Sequence, residues 1–287
     1  MKRKGDLVFW EISELTTTKE HLESLGFDRL VPRNDYRSAM IKALKKITKG
    51  NDKLYRRFND KAEEVSFAIF EQRISESDIL LDREITITID KKTGALSTKA
   101  EYDGEFYRSI RDIYLNESKT IDSSQFRSMV LRVVQQECFG VPMRKGGGVY
   151  FIKESFDETQ RKLNELFNAF PHQATLHRVP IYDDPSTLTA LESAVSEDLT
   201  GDIESLVADI NKRFEEGKIT RRQLEGDQER IQKIVQKTEV HADALRAKAS
   251  AIRAKLELAK KAVKSVIDKV ESGIIEPKAF MKALGEL

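Results

Sequence analysis

The sequence has little cysteine and no long apolar run. Cys138 is the single cysteine among 287 residues, which excludes an internal disulfide framework and a cysteine-rich zinc site and favours a reducing, intracellular setting. The apolar run at residues 7–10 is interrupted by Glu11 before it reaches the length of a signal-peptide core. No stretch approaches the roughly 20 apolar residues of a membrane span. We therefore expect a cytoplasmic protein that does not bind a membrane.

The sequence also lacks an excess of either charge. Its 49 basic and 48 acidic side chains give a formal net charge of +1, so no overall field attracts nucleic acid or a membrane. Charged residues nevertheless make up 34% of the chain, and they lie between regularly spaced apolar residues. This pattern is typical of long solvated helices, so any argument for a charged partner depends on local clusters.

Proline is absent between residues 220 and 272, where apolar residues recur at alternating spacings of three and four. This heptad pattern is typical of a coiled coil rather than of a globular helix. It predicts one continuous helix of about 50 residues, roughly 80 Å long, which needs a partner along its seam. The predicted seam residues are Leu224, Ile231, Val235, Leu245, Ile252, Leu256, Val263, Val266 and Val270.

A second helix is predicted before the heptad segment, from about Leu188, and the polar turn at Gly217 and Lys218 predicts a helical hairpin. Residues 186–216 contain eight acids and two bases, whereas residues 244–267 contain seven bases and one acid. In such a hairpin the basic part extends past the acidic helix and has no acidic neighbour in its own chain. Packing on the body, pairing with a second subunit, phosphate contact and a solvated face all remain open. The predicted partner-docking basic face contains Arg246, Lys248, Arg253, Lys255, Lys260, Lys261 and Lys264.

The first 184 residues change between helical and strand periodicity. Alternation of β-branched or aromatic residues with polar ones predicts an antiparallel sheet, and helix-period segments flank it. Strands are expected at residues 7–12, 54–58, 65–70, 85–89, 95–99 and 174–182, a glycine hairpin at 140–152, and helices at 36–47, 105–114, 124–138 and 157–170. The predicted fold is therefore α+β. An antiparallel-sheet body with flanking helices, residues 1–184, is followed by a long α-helical coiled-coil hairpin with a short terminal helix at 278–284, residues 185–287.

Basic residues cluster in the body between residues 35 and 61, where nine bases occur with three acids, and Tyr55 and Phe58 are interleaved with them. A helix followed by the glycine hairpin also has the outline of a winged helix, with Arg144 and Lys145 at the wing. Such clusters indicate phosphate contact; the alternative is the solvated face of an amphipathic helix and an edge strand. The candidate nucleic-acid contacts are Arg37, Lys42, Lys45, Lys46, Lys49, Lys53, Arg56, Arg57, Arg144 and Lys145.

No motif for catalysis, for a cofactor or for a metal ion is found in the sequence. The glycines after Lys145 are followed by a strand, whereas a nucleotide loop of the Walker kind opens a helix, so we predict a hairpin turn there. His172 and His177 have no carboxylate at ligand spacing, and structural or surface histidines are the simpler interpretation. Cys138 is expected to be a buried thiol at the end of an apolar helix.

The acids around the strand at 85–89, Asp82, Glu84 and Asp90, lack the lysine-bearing partner motif of a metal-dependent nuclease. We therefore expect a protein that is not an enzyme and that uses no cofactor.

The segment from Gly146 to Phe151 reads Gly-Gly-Gly-Val-Tyr-Phe, Trp10 lies in an early strand, and the carboxy-terminal region is helical. Together these features resemble an uncharacterised family of proteins seen in phages and bacterial mobile elements, which has a Gly-Gly-Val-Tyr-Phe turn and strand. The resemblance covers most of the chain. It implies a phage or mobile-element origin and brings no assigned activity or catalytic residue.

Two functions are compatible with these patterns. The first hypothesis is a non-enzymatic assembly or adaptor protein that self-associates or docks a protein partner through its coiled-coil arm. The alternative is a nucleic-acid-binding protein that uses the basic clusters of the body and the basic half of the arm.

Overall fold

The computed structural model of the protein describes residues 1–50, 52–74, 79–98, 104–216 and 219–271. It confirms a mixed α and β protein with antiparallel sheets. Within the described residues the strands are, in chain order, β1 (Arg3–Ile12), β2 (Thr16–Thr18), β3 (Lys53–Asp60), β4 (Glu64–Ile74), β5 (Ile79–Asp90), β6 (Leu96–Thr98), β7 (Thr120–Asp122), β8 (Val141–Pro142), β9 (Tyr150–Lys153) and β10 (Ala174–Tyr182). The α-helices of the same ranges are α1 (Lys19–Ser24), α2 (Tyr36–Thr48), α3 (Glu105–Lys119), α4 (Ser123–Arg132), α5 (Asp157–Asn168), α6 (Pro185–Glu215), α7 (Arg221–Val240), α8 (Ala242–Leu245) and α9 (Ala249–Glu271). Short 3-10 turns occupy Asp28–Leu30, Glu154–Phe156 and Arg246–Lys248, and a π-helical segment occupies Val133–Glu137.

The chain folds into two compact units. Residues 14–129 form one, which we call the inserted unit. Residues 1–13 and the described residues from Val130 to 271 form the other, which we call the split unit. The domain boundary expected at residue 184 lies inside the split unit, because the strand that ends at Tyr182 pairs with the amino-terminal strand β1.

The split unit contains a four-stranded antiparallel sheet in the order β10-β1-β9-β8. β1 pairs with β10 from Arg3, opposite Tyr182, to the far end of both strands. β8 and β9 pair across the glycine turn, with Val141 opposite Phe151. The strand predicted at 174–182 and the glycine hairpin are confirmed, and β1 begins nearer the amino terminus than predicted.

Three long helices of the split unit, α6, α7 and α9, pack into one hydrophobic core. α7 runs antiparallel to α6. Arg213 pairs with Asp227 near the connection at 2.8 Å, and Lys237 pairs with Asp202 farther along at 2.8 Å. α9 contacts both other helices, and it reverses direction again after the short segment that follows α7. The arm is therefore a three-helix bundle.

The continuous helix expected over residues 220–272 is wrong. α7 ends at Val240, and α8 and a 3-10 turn separate it from α9. Arg246, in that turn, has a φ of 44° and a ψ of −115°, a combination that residues with a Cβ rarely adopt. The reversal lets α7 and α9 lie side by side. A long coiled-coil hairpin is not confirmed, and the longest helix of the arm, α6, has 31 residues.

The heptad residues line a core within a single chain. Those buried in the bundle are Leu224, Ile231, Leu245, Ile252, Leu256, Val263 and Val266, and Val235 packs against them. The side chain of Val270, the turn at Gly217 and Lys218 and the predicted terminal helix at 278–284 lie outside the described residues. The heptad pattern thus identified buried positions correctly, although their partners are helices of the same chain.

The basic part of the arm has intrachain neighbours, and the contrary expectation was wrong. α9 packs on α6 and α7, and Lys255 Nζ lies 3.8 Å from Glu204 Oε1 on α6. The expectation assumed a two-helix hairpin, in which residues beyond about 249 pass the start of α6. The break at Arg246 turns these residues back along the bundle.

The inserted unit contains a four-stranded antiparallel sheet in the order β3-β4-β5-β6. Alternate residues of β4 and β5, such as Phe67 and Ile87, face a core that also contains Met40 from α2 and Tyr114 from α3. The two helices therefore cover one face of this sheet. The structure confirms the strands predicted at 54–58, 65–70 and 85–89 as parts of longer strands.

Candidate functional site

The basic cluster predicted at residues 35–61 is divided between the two faces of the inserted unit's sheet. On the helix-covered face, Lys42 Nζ contacts Asp122 at 2.6 Å and Lys46 Nζ contacts Glu117 at 2.5 Å. Burial opposes the charge of Asp122, but the hydrogen bond from Lys42 contributes to holding its pKa below the ordinary value. These two predicted nucleic-acid contacts are engaged in ion pairs that join α2 to β7 and α3.

Asp60, at the end of β3, engages two more residues of the cluster. Arg57 Nη1 lies 2.6 Å from its Oδ2, and Lys91 Nζ lies 2.5 Å from its Oδ1. Arg37 is farther away, at 3.5 Å. The hydrogen bond from Lys91 and the charges of these cations hold the pKa of Asp60 below its ordinary value. Arg37 and Arg57 are therefore less available to an external anion.

Three exposed residues of the cluster make no ion pair with a described residue. Lys45, Lys49 and Arg56 have no acidic partner within the described ranges. Lys53 instead places its ammonium 4.1 Å from the ring centroid of Phe106. Lys45 and Lys49 belong to the end of α2, whereas Arg56 lies on the sheet face opposite the helices.

The face of the sheet opposite α2 and α3, which we call the outer face, is formed by alternate residues of β3, β4, β5 and β6. The pairing register arranges them in three rows: Leu54, Phe70 and Arg83; Arg56, Ala68 and Thr86; Asn59, Ser66, Thr88 and Ser97, with the unpaired Phe58 before Asn59. Phe58 lies at a bulge of β3. None of these positions is acidic and two are arginine, but the next pair in the same alternation is Glu64 and Asp90. The basic part of the outer face is therefore the part around Arg56 and Arg83, and acids lie beyond its third row.

Arg83 bridges two phenyl rings on the outer face. Its guanidinium carbon lies 5.6 Å from the ring centroid of Phe58 and 5.7 Å from that of Phe70, within the range of cation–π attraction. Because Arg83 starts beside Phe70, its side chain crosses the second row to reach Phe58. The small side chains of that row, Ala68 and Thr86, are buried. Phe58 keeps 50% of its surface exposed, so a ring and an exposed guanidinium face solvent together.

Arg144 and Lys145 lie in the glycine hairpin of the split unit. Arg144 Nε donates to the carbonyl oxygen of Gly147 at 2.8 Å, which folds its side chain back over the turn. Gly147 has a φ of 75°, and a Cβ there would lie 2.4 Å from Tyr150 Oη, so the turn requires glycine. Lys145 is exposed without an acidic partner in the part of the chain that is described. The glycines form the predicted turn.

The predicted basic face of the arm is largely solvent-exposed. Its exposed members with no acidic partner among the described residues are Arg246, Lys248, Arg253, Lys261 and Lys264. The other two are paired, Lys255 with Glu204 and Lys260 with Glu257, the latter at 2.7 Å. Several acids of α6 pair with cations of α7, which leaves these cations of α9 and of the 3-10 turn before it available.

A buried ion cluster between α6 and α7 was not found from the sequence. Lys237 Nζ lies 2.5 Å from Asp198 Oδ2 and 2.8 Å from Asp202 Oδ2. Burial raises the pKa of Asp198, whereas the two carboxylates outweigh burial at Lys237 and raise its pKa. Cavities of about 220 and 310 Å³ flank the cluster, next to the π-helix and the glycine turn respectively. In the sequence, only the spacing of Asp198 and Asp202, four residues apart, indicates that they share a helix face. That spacing does not show that Lys237 is the cation that pairs with them.

Within the described ranges, no group of three or more histidine, cysteine or acidic side chains is placed to hold a metal ion. Cys138 is buried, as predicted, and burial raises the pKa of its thiol to about 12. None of the helices described is long and apolar enough to cross a membrane.

Comparison with known proteins identifies a family without an activity. No curated protein and no solved structure matches the chain. A family model, described as a family of unknown function, matches residues 5–272 and so covers nearly all of both units. The resemblance to an uncharacterised family is confirmed at that level. The chain belongs to the family of unknown function DUF6744.

Proposed function

We propose that the protein is a non-enzymatic nucleic-acid-binding protein. The carrying observation is that exposed cations remain without an acidic partner, among the described residues, after the internal ion pairs are formed. Among the cations predicted as contacts from the sequence, these are Lys45, Lys49, Arg56, Lys145, Arg246, Lys248, Arg253, Lys261 and Lys264. Such cations can contact phosphates without breaking an internal ion pair, and they release counterions when they do.

Two further observations favour nucleic acid over self-association. The heptad seam is buried within one chain, which removes the strongest reason to expect a second copy along the arm. The outer face adds an exposed ring, Phe58, to two arginines, Arg56 and Arg83, that make no ion pair with a described residue. An acidic protein partner needs only the charge, whereas a nucleic acid uses both the charge and the ring.

The test is the salt dependence of binding by the full chain. Fluorescence anisotropy would be measured with labelled 30-nucleotide DNA, the equivalent RNA and a 30-base-pair duplex at 50 and 200 mM salt. If about six phosphates are contacted, affinity falls about 10³-fold between these concentrations. Replacing Lys45 and Lys49 with alanine should reduce the salt slope. Lys42→Ala is the matched control, because its ammonium is already paired with Asp122 and its loss should change the slope less. Absence of binding to all three probes at 50 mM salt would exclude the proposal.

An adaptor that docks a protein partner through the arm is the second candidate. A groove of about 990 Å³ between α7 and α9 favours it, with Ile231, Val263 and Ile267 in its lining. Lys264 is exposed at this groove and could pair with an acidic residue next to the apolar face of an amphipathic partner helix. Concentration-dependent oligomers in sedimentation, together with no binding to any nucleic acid, would favour this candidate over the first.

The phage or mobile-element origin and the cytoplasmic location belong to the same proposal. The first rests on the Gly-Gly-Val-Tyr-Phe segment, and the second rests on the single cysteine and on the lack of a long apolar run in the sequence.

A further inference from the structure

We infer that the outer face of the inserted unit binds single-stranded nucleic acid, with bases stacked on Phe58 and on the Arg83 guanidinium. This inference rests on the proposed function and narrows it to one surface and one class of ligand. Three observations carry it: the exposure of apolar groups, the position of Arg83, and the charge of the face.

The outer face exposes several apolar side chains to solvent. Phe58 is 50% exposed and Leu54 is 43% exposed, and both lie on the edge strand β3. Leu81, on the extension of β5 next to Arg83, is also exposed. Exposed apolar groups gathered on one sheet face mark a binding surface more often than scattered ones do.

Arg83 gives this surface a second planar group. Because its guanidinium lies between the rings of Phe58 and Phe70, it is held over the small residues of the second row. Phenyl rings and guanidinium planes both stack on nucleobases, and each stack is tolerant of sequence because every base has a π-face. The three groups therefore form a line of stacking surfaces across the sheet.

The charge of the face fits a phosphate backbone beside the stacked bases. Arg56 is exposed in the middle row, next to Phe58 along β3, and has no acidic partner among the described residues. The rows that contain Arg56 and Arg83 carry no acid, and the acidic pair of this face, Glu64 and Asp90, lies beyond the third row. Ser97 is exposed and offers a hydroxyl group to a sugar or a phosphate, whereas Ser66 and Thr86 are buried and the Ser66 hydroxyl is bonded to that of Thr88.

A single strand suits this arrangement better than a duplex. Bases in a duplex are already stacked on one another and present only their edges, so Phe58 would gain nothing from a duplex. A single strand can turn its bases onto the ring while its phosphates reach Arg56. Since a duplex can still bind other exposed cations, such as those on α9, duplex binding tests the general proposal separately from this one.

The experiment compares Phe58 variants of the full chain on fluorescein-labelled 20-nucleotide oligo(dT), 20-nucleotide oligo(U) and a 20-base-pair duplex, by anisotropy at 50 mM salt. Phe58→Ala should weaken binding to the single strands about tenfold, the size of one lost stack, and should leave duplex binding unchanged. Phe58→Trp should bind single strands at least as well as the native chain, with its emission quenched on binding. Arg83→Lys keeps the charge but removes the planar group, and it should weaken single-strand binding as well.

The matched control is Leu258→Ala, which truncates an apolar side chain of similar exposure, 46%, on α9. It should leave all three affinities unchanged. If Phe58→Ala binds single strands as well as the native chain while salt-dependent binding persists, the protein binds nucleic acid elsewhere and only this inference fails. If no probe binds the native chain, both proposals fail. A dimer of the native chain that Phe58→Ala abolishes, without any nucleic-acid binding, would assign the face to a second copy instead.

Discussion

The two units differ in how much of their apolar surface they bury. In the split unit, α6, α7 and α9 bury the heptad seam against one another, and positions that read as a dimer interface face helices of the same chain. In the inserted unit, helices cover one sheet face, while the other face keeps exposed residues such as Phe58 and Leu54. An apolar pattern in a sequence therefore shows where burial is possible, and only the fold shows where burial has already occurred. The surface left for a partner is on the sheet.

The largest expected difference is between a bundle residue and an outer-face residue of similar size. Leu206 is completely buried in α6, so Leu206→Ala should lower the free energy of unfolding by about 2–5 kcal/mol. Phe58→Ala, at an exposed position, should lower it by less than about 0.5 kcal/mol. Urea unfolding followed by circular dichroism would measure both, and the fluorescence of Trp10, which stacks on Tyr150 in the split unit, would report Leu206→Ala specifically. Equal losses would mean that the outer face is part of a packed core.

A smaller difference is expected in the response of the two units to acid. His241, at the end of α7, is completely buried with its Nε2 2.8 Å from the Phe139 carbonyl oxygen, and burial lowers its pKa to about 4. The unfolded histidine has a pKa near 6.5. Between these values the unfolded state binds a proton that the folded state does not. The unfolding free energy of the split unit is therefore highest above pH 6.5 and falls by up to about 3 kcal/mol as the pH drops to 4.

The measurement is the urea midpoint of Trp10 fluorescence at pH 7, 6 and 5, for the native chain and for His241→Gln. Glutamine can donate a hydrogen bond to the Phe139 carbonyl oxygen but does not titrate, so its midpoint should change less over this range. Parallel curves would show that His241 does not cause the dependence. His21, the histidine of the inserted unit, is exposed, so the inserted unit should lack this response.

The smallest expected effect separates two glycines of the split unit. Gly201 lies inside α6, and a Cβ there would meet nothing within 4 Å. Gly201→Ala should therefore raise the unfolding free energy by about 0.5–1 kcal/mol through helix propensity. Gly147→Ala should lower it, because the added Cβ meets the Tyr150 hydroxyl and the φ of 75° is unfavourable for alanine. The Trp10 unfolding midpoint measures both, and a loss at Gly201 would show that the helix needs the glycine for closer packing than the static contacts indicate.

The local pattern of the sequence was enough to predict most strands and helices. β-Branched alternation located β4 and β5, and the helix predicted from about Leu188 is α6, which begins three residues earlier because Asp184 caps it by accepting bonds from the backbone of Ser186 and Thr187. Periodicity works here because burial on one face fixes the residue spacing whatever the partner is.

The break in the heptad helix could not be predicted in the same way. Ala242, Leu245 and Ala249 continue the spacing of three and four across it, and no glycine or proline marks it. Arg246 adopts its positive φ because packing α7 and α9 side by side buries enough surface to outweigh the local cost. The position of this turn is therefore determined by tertiary packing. The conformational preference of Arg246 alone does not predict it.

The candidate site was predictable only in part for a related reason. Phe58 and Arg56 were noticed because they are close together in a basic segment. Arg83 and Phe70 were not, since they meet Phe58 only through the register of three strands and a bulge. The register between strands is set by the whole sheet. A surface formed by residues of several strands therefore cannot be predicted from any one segment of the sequence.

The pairing of β1 with β10 has a consequence for synthesis. β1 leaves the ribosome first, yet its partner β10 ends at Tyr182, about 170 residues later. At about 5–20 residues per second this delay is on the order of ten seconds or more. The inserted unit is complete by residue 129, so it can fold within that interval while the apolar strand that carries Trp10 still has an open edge. A nascent chain stalled between residues 129 and 182 would therefore carry a finished sheet in the inserted unit and a β1 strand that still lacks β10, and an open strand edge can pair with another chain.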